Sequence, residues 1–395
     1  MRIPNHWLDG ILMKSAPLCT GAAGAALLAL AMAAPAAAET LTYRVLAAGE
    51  DVGYLIVEEA GDRYQIDYDY KNNGRGPTIS ESLTVNDAGY PVNWQIEGST
   101  TFGNQVDEWF RVEDGTARWQ DATGTGSAPA DPLAFYVDQN GGPYSAALLA
   151  RALLADEDRS IEVYPGGTAT LNERASMTFE GDNGPVETTT YEITGLSMSP
   201  INVTLDSENE FFATASPRFA IVREGYEEAA QERLRGYSEE LSTNRFVDIQ
   251  AETAHDYDGP VRIRNVRIFD PETLALTEPK DVVVFLDRIA SIQGANSPVT
   301  KGETVIDGEG GTLVPGMYEM HGHISQDGAL LNVAAGVTSV RDMGNENDVL
   351  AGLIERIEDG TIAGPRRRSA PARHEGRRAR TCLLEGGRHD RGGLR

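Results

Sequence analysis

The stretch Leu313-Val314-Pro315-Gly316-Met317-Tyr318-Glu319-Met320-His321-Gly322-His323 decides how the C-terminal part of the chain is read. An apolar run with a Pro-Gly turn leads into a strand-like segment that ends in two histidines. Side chains at i and i+2 of a strand share a face, about 7 Å apart along the backbone. His321 and His323 therefore project together, and neutral imidazoles at that spacing can hold one divalent ion, zinc being the usual choice. Two ligands alone are too few, because a catalytic zinc takes three protein ligands and keeps one position open for water. The bare His-x-His is weak evidence, since chance pairing gives the same pattern; its surroundings make it stronger.

Downstream, Gly328 to Ala335 reads as a helix, Val337 to Arg341 as a buried strand, and Asp348 to Ile357 as an amphipathic helix. Strand, helix, strand, helix implies a parallel α/β sheet or barrel. Upstream, the texture changes at Pro260. Val261 to Ile268 alternates as a strand does, Asp281 to Gln293 gives two short strands around a turn at Asp287-Arg288, and Val305 to Gly308 closes a third unit.

These pieces, in this order, resemble the opening of the amidohydrolase superfamily. The run from Ile306-Asp307-Gly308 through the Pro315-Gly316 turn to His321-Gly322-His323 looks like the first barrel strand with its metal ligands. The preceding VRIRNVRIFDPET and DVVVFLDRIASIQG are similar to the family's small β-sandwich segment, residues 259–312. Ala335 to Gly344 resembles the second barrel strand, and Gly360 to Arg366 the run into the third. Glu319 stands where the family more often has Asp. The resemblance implies a (β/α)₈ barrel beginning at residues 313–365, with His321 and His323 as the first two ligands of one or two divalent metals, zinc above all. It is nearest to an exported, imidazolonepropionase-like or Xaa-Pro-dipeptidase-like group that hydrolyses C–N bonds of small, dipeptide-like substrates. A metal-bound water would attack the carbonyl, with an Asp from the last strand as general base.

The ligands the family needs from later strands are missing. After His323 only His374 and His389 remain, and no Lys follows Lys301. A barrel of this kind takes about 250 residues, so two of its βα units are accounted for. Residues 366–395 carry ten Arg against Glu375, Glu385 and Asp390, a local charge of 10 − 3 = +7, with no hydrophobic period. The plain reading is a solvated basic tail. The preferred one is a frameshift near Pro365-Arg366, because the family-like sequence stops where the composition inverts. Sequencing the gene across the codons for Ile362 to Arg378 tests this: an intact in-frame stop in independent isolates would sink it.

The rest of the chain has a different texture. Tyr64, Ile66, Tyr68 and Tyr70 alternate with polar residues, the period-two pattern of a sheet with one wet face. Asn86 to Gly89 and Asp114-Gly115 mark hairpin turns. A helix is expected at Ser145 to Ala155 with Leu148, Leu149 and Leu153 on one face, and further strands run to Val222. Residues 39–223 thus read as an antiparallel β-rich domain whose aromatic residues build its inner layer. Residues 224–258 read as a helical connector with a solvated acidic face. The fold class is α+β passing into α/β: an antiparallel β domain, a small sandwich segment, and the start of an incomplete (β/α)₈ barrel.

At 395 residues with 41% hydrophobic and 24% charged residues, the composition is that of a globular protein of two or three domains. The net charge of −26 argues against nucleic acid and anionic membranes as partners. Lys14, the apolar run Ala22 to Ala34 and Ala36-Ala37-Ala38 form an export signature, so residues 1–38 are expected to be a signal peptide cut after Ala38. The mature chain is then periplasmic or secreted, without stable membrane insertion. Cys19 falls in that leader, which leaves Cys382 without an internal disulfide partner. Nothing in the residues sets the oligomeric state. Two rival readings stand beside a broken hydrolase: a non-catalytic β-rich binding protein carrying a barrel remnant, and assembly with a separately encoded remainder of the barrel.

Overall fold

The computed structural model describes residues 39–365 together with Cys382 and Leu383. The expected signal peptide and most of the basic stretch lie outside the described residues. What is described is strand-rich, with four α-helices.

The first half is one sheet of fifteen strands. Its first meander is β1 (Glu39–Ala47), β2 (Glu50–Ala60), β3 (Arg63–Tyr70), β4 (Thr78–Val85), β5 (Pro91–Ser99), β6 (Gln105–Glu113), β7 (Thr116–Asp121) and β8 (Gly124–Pro129). After the two-residue β9 (Phe135–Tyr136) comes the helix α1 (Tyr144–Ala155). The second meander is β10 (Ser160–Tyr164), β11 (Thr168–Gly181), β12 (Gly184–Thr194), β13 (Ile201–Asp206), β14 (Phe211–Ala215) and β15 (Phe219–Arg223). β1 joins the two meanders by pairing antiparallel with β15, Val45 opposite Ile221. Every ladder is antiparallel except the short β9–β10 pair.

Alternation drives this sheet. In β4, Ile79, Glu81, Leu83 and Val85 point inward, and in β6 Val106, Glu108 and Phe110 do. Asp114 and Gly115 both take positive φ, as the tight turn between β6 and β7 requires. The strand order is open, yet its two ends meet. Trp119 of β7 stacks on Tyr164 of β10 at 5.4 Å, and Phe110 of β6 stacks on Tyr136 of β9 at 4.7 Å. The sheet therefore wraps around α1, which is buried on nearly every side rather than on one stripe. That is why Ala146, Ala147, Ala150 and Ala152 are enclosed along with the three expected leucines.

The helix α2 (Glu227–Thr253) follows. Its Ala230 and Leu234 pack against Phe179 and Phe212 on the outer face of the sheet. Phe246 is also buried, and Val247 packs against the last cluster of the chain. The acidic face is not wholly solvated: Glu239 pairs with Arg356 at 2.5 Å, and Arg235 with Glu346 at 3.1 Å. The expected connector is thus a brace with a buried side at each end.

A small mixed sheet comes next: β16 (Val261–Asp270), β17 (Ala275–Leu276), β18 (Lys280–Phe285), β19 (Arg288–Gly294), β20 (Thr304–Asp307) and β21 (Thr312–Leu313). By strand pairing it is one six-stranded sheet. Its centre is ionic: Arg262 and Asp281 are both buried, with Arg262 bonded to Glu303 at 2.7 Å and lying 3.7 Å from Asp281. The last part runs β22 (Met317–Gly322), α3 (Gln326–Ala334), β23 (Val337–Asp342) and α4 (Asn347–Glu358). β22 and β23 are parallel, and Cys382–Leu383 pairs antiparallel with β23. Ile324, Ala329, Val340, Leu350, Leu353, Ile354 and Ile362 form the cluster beneath. Among the described residues, no helix is long and apolar enough to cross a membrane.

Candidate functional site

His321 lies in β22 and His323 one residue past its end. The strand delivers both rings to one place, with centroids 5.4 Å apart and planes at 75°. Gly322 between them is dictated by packing. A Cβ there would come within 2.6 Å of the buried Val340 on β23, so only glycine lets the two strands close at this point.

The chain after His323 is tied to β23 by Asp342, which is wholly buried. Its Oδ2 accepts from Ile324 N at 2.9 Å, and its Oδ1 from Gly344 N and Asn345 N at 3.0 Å each. Asn345 Nδ2 donates to Asp342 Oδ2 at 3.1 Å and to Ile324 O at 2.7 Å. Met343 N donates to Gly322 O at 2.9 Å. Upstream, His321 N donates to Glu319 Oε1 at 2.8 Å. The acid at 319 therefore steadies the backbone of the first histidine. Both imidazoles are exposed.

The donor set does not fit a catalytic zinc. Among the described residues, no three His, Cys, Asp or Glu side chains come together to hold an ion. Asp342, at the end of β23, is committed to four hydrogen bonds. What the geometry offers is two imidazoles side by side, open to solvent.

Neither a family model nor a curated protein matches the chain. Solved structures do. A prolidase complexed with N-methylphosphonate-L-proline is 22% identical over 27% of this chain and 30% of its own, with a TM-score of 0.23. Phenylurea hydrolase B is 25% identical over 27% of this chain and 29% of its own, with a TM-score of 0.24. Over 27% of its length the chain is similar to known hydrolases. It spans less than a third of either one. A β-barrel-like protein of a domain of unknown function from Brucella abortus is 11% identical over 47% of this chain and 94% of its own, with a TM-score of 0.30. At TM-scores of this size none of the three fixes the fold of the whole chain.

A second group of polar side chains escapes a reading by motif. Glu81 on β4 and Glu108 on β6 are each 1% exposed and point into the wrapped sheet, where alternation calls for apolar residues. With the half-buried Asp138 they bind the loop that enters α1. Beside Glu108 a cleft of about 340 Å³ is lined by Gln105, Asp107, Asp121 and Asn140. The available signal was a Glu at an inward position of a strand, repeated two strands along.

Proposed function

We propose that residues 313–365 are the opening of an amidohydrolase-type, metal-dependent hydrolase acting on amide or peptide-like C–N bonds, with His321 and His323 as two of its metal ligands. The observation that carries this reading is the pair of rings at the C-terminal end of the first strand in a parallel β-α-β-α run, 5.4 Å apart. Barrel enzymes place their chemistry at that end of the strands. The prolidase and the phenylurea hydrolase supply no part of this geometry.

With two imidazoles as its donor set among the described residues, the chain is expected to hold a metal weakly and not to turn substrate over. Isothermal titration of the full chain with Zn²⁺ should show dissociation constants in the micromolar range or weaker, lost in His321→Ala and in His323→Ala. Assays with proline dipeptides and a phenylurea, with and without chelator, should show no turnover. Chelator-sensitive hydrolysis would overturn the inactivity, and Zn²⁺ binding unchanged by both substitutions would overturn the ligand assignment.

A further inference from the structure

The outer face of the first meander carries two rows of side chains that the core does not use. Strand register sets Arg63, Thr84, Asn93, Arg111 and Arg118 side by side across β3 to β7. The next row is Gln65, Ser82, Gln95, Trp109 and Gln120. All ten alternate with inward residues, so they share the outer face. Neither row holds a carboxylate, although acids outnumber Lys and Arg by 60 to 34 in this chain. An ordinary solvated face of such a chain carries acids, as the following row does with Asp67, Glu97 and Asp107.

The first row is charged against itself. Arg111 stands directly opposite Arg118, and like charges so placed destabilise a sheet. Arg118 has one long contact, 3.9 Å to Glu113, and Arg63 has one of 4.0 Å to Asp62. Among the described residues, Arg111 pairs with no carboxylate. Its guanidinium lies 5.3 Å from the centre of the Trp109 ring, a cation–π contact that holds the fork over the sheet. The second row is set in one orientation. Gln95 Nε2 donates to Asp107 Oδ1, and Gln120 Nε2 to Asp107 O, each at 3.2 Å. A carboxylate and a carbonyl only accept, so neither amide can be turned round. Both leave Oε1 as an acceptor on the outer face.

A partner that fits brings anions to the first row and hydroxyl donors to the second. Guanidinium forks take carboxylates in bidentate fashion, and an amide oxygen takes an O–H. The rows cross five strands at the usual sheet spacing, a span of about 19 Å, which is longer than one sugar ring. We propose that this face binds a glycan whose sugars carry carboxylates, a uronic acid chain laid across β3 to β7. Its acid groups sit on Arg111 and Arg118, and its hydroxyls donate to Gln95 and Gln120. A polynucleotide also offers anions to the arginines, but its phosphates bring no donor for the amide oxygens. The net charge of −26 further opposes a polyanion held by charge alone.

The test is fluorescence anisotropy of an end-labelled oligogalacturonate titrated with the full chain. Binding should saturate, and should weaken with added salt. It should weaken by about tenfold in Arg111→Gln and in Arg118→Gln, the size of one lost charged hydrogen-bond pair. Arg111→Lys keeps the charge but loses the fork, and should weaken binding too. Gln95→Leu should weaken it while leaving the salt dependence as it was. Both arginines are exposed, so these variants should keep the circular dichroism of the unaltered chain. Binding that does not saturate, equal binding by Arg111→Gln and the unaltered chain, or tighter binding of an oligothymidylate of the same length would overturn the proposal.

Discussion

The carboxylate of Asp342 accepts four hydrogen bonds, three of them from backbone N–H groups of the loops that follow β22 and β23. In Asp342→Ala those donors stay buried without partners, and a buried unsatisfied donor costs about 1–3 kcal/mol. We expect a loss of roughly 3 kcal/mol or more, read as faster exchange of the Ile324 and Asn345 amides and a lower urea midpoint for the C-terminal part. Zn²⁺ binding should weaken as well, because the same bonds hold the chain next to His323. The sequence made the histidines legible, since i and i+2 on a strand is a local relation that needs no tertiary information. It hid the work of Asp342, which lies in its partner Ile324, on the far side of α3. Glu81, Glu108 and Asp138 were hidden for the same reason. Glu81 and Glu108 show in the sequence only as acids at inward strand positions, and only the wrapped sheet brings them with Asp138 under one loop.

At the scale of elements, α2 shows where composition misleads. Its many acidic residues suggest a solvated rod, and its weakly amphipathic pattern hides how much it packs. Yet Leu234 is 3% exposed against the Phe179–Phe212 pair, which is itself stacked at 5.3 Å. Leu234→Ala should cost about 3 kcal/mol, within the range for buried leucines, with a matching drop in the denaturation midpoint of the large sheet. A shift below about 0.5 kcal/mol, the usual size for surface substitutions, would mean that the helix is not docked there. The strands of the large sheet were easier to read. Alternation and turn residues placed β3 to β7 and α1, whereas β8 and β9 were missed. β8 reads Gly-Thr-Gly-Ser-Ala-Pro with no inward apolar series, and β9 is two residues long. The small sheet at 261–313 was expected as strands, but its ionic centre was not, because a buried Arg262 looks like any polar strand residue until Glu303 and Asp281 close on it.

The whole molecule is uneven in how it is held together. The wrapped sheet and α1 share one large aromatic and aliphatic core, while the final β-α-β-α run rests on a cluster of seven buried residues. Small cores give small stabilities. Equilibrium unfolding in urea should therefore not be two-state. The described tryptophans, Trp94, Trp109 and Trp119, all lie in the large sheet. Tryptophan fluorescence should then report a later transition than far-UV circular dichroism, which sees both parts. Coincident curves would show that α2 couples the two halves into one cooperative unit.

One feature of β22 reaches beyond the single chain. Met317 and Met320 are 51% and 57% exposed. Exposed oily side chains make a sticky surface. The colloidal behaviour of the protein follows from that strip rather than from its net charge of −26. Long-range repulsion keeps molecules apart in dilute, low-salt solution, and salt removes it within about 10 Å at 0.1 M. Crowded, saline conditions therefore bring these strips within reach of one another, and turbidity should rise with ionic strength instead of falling.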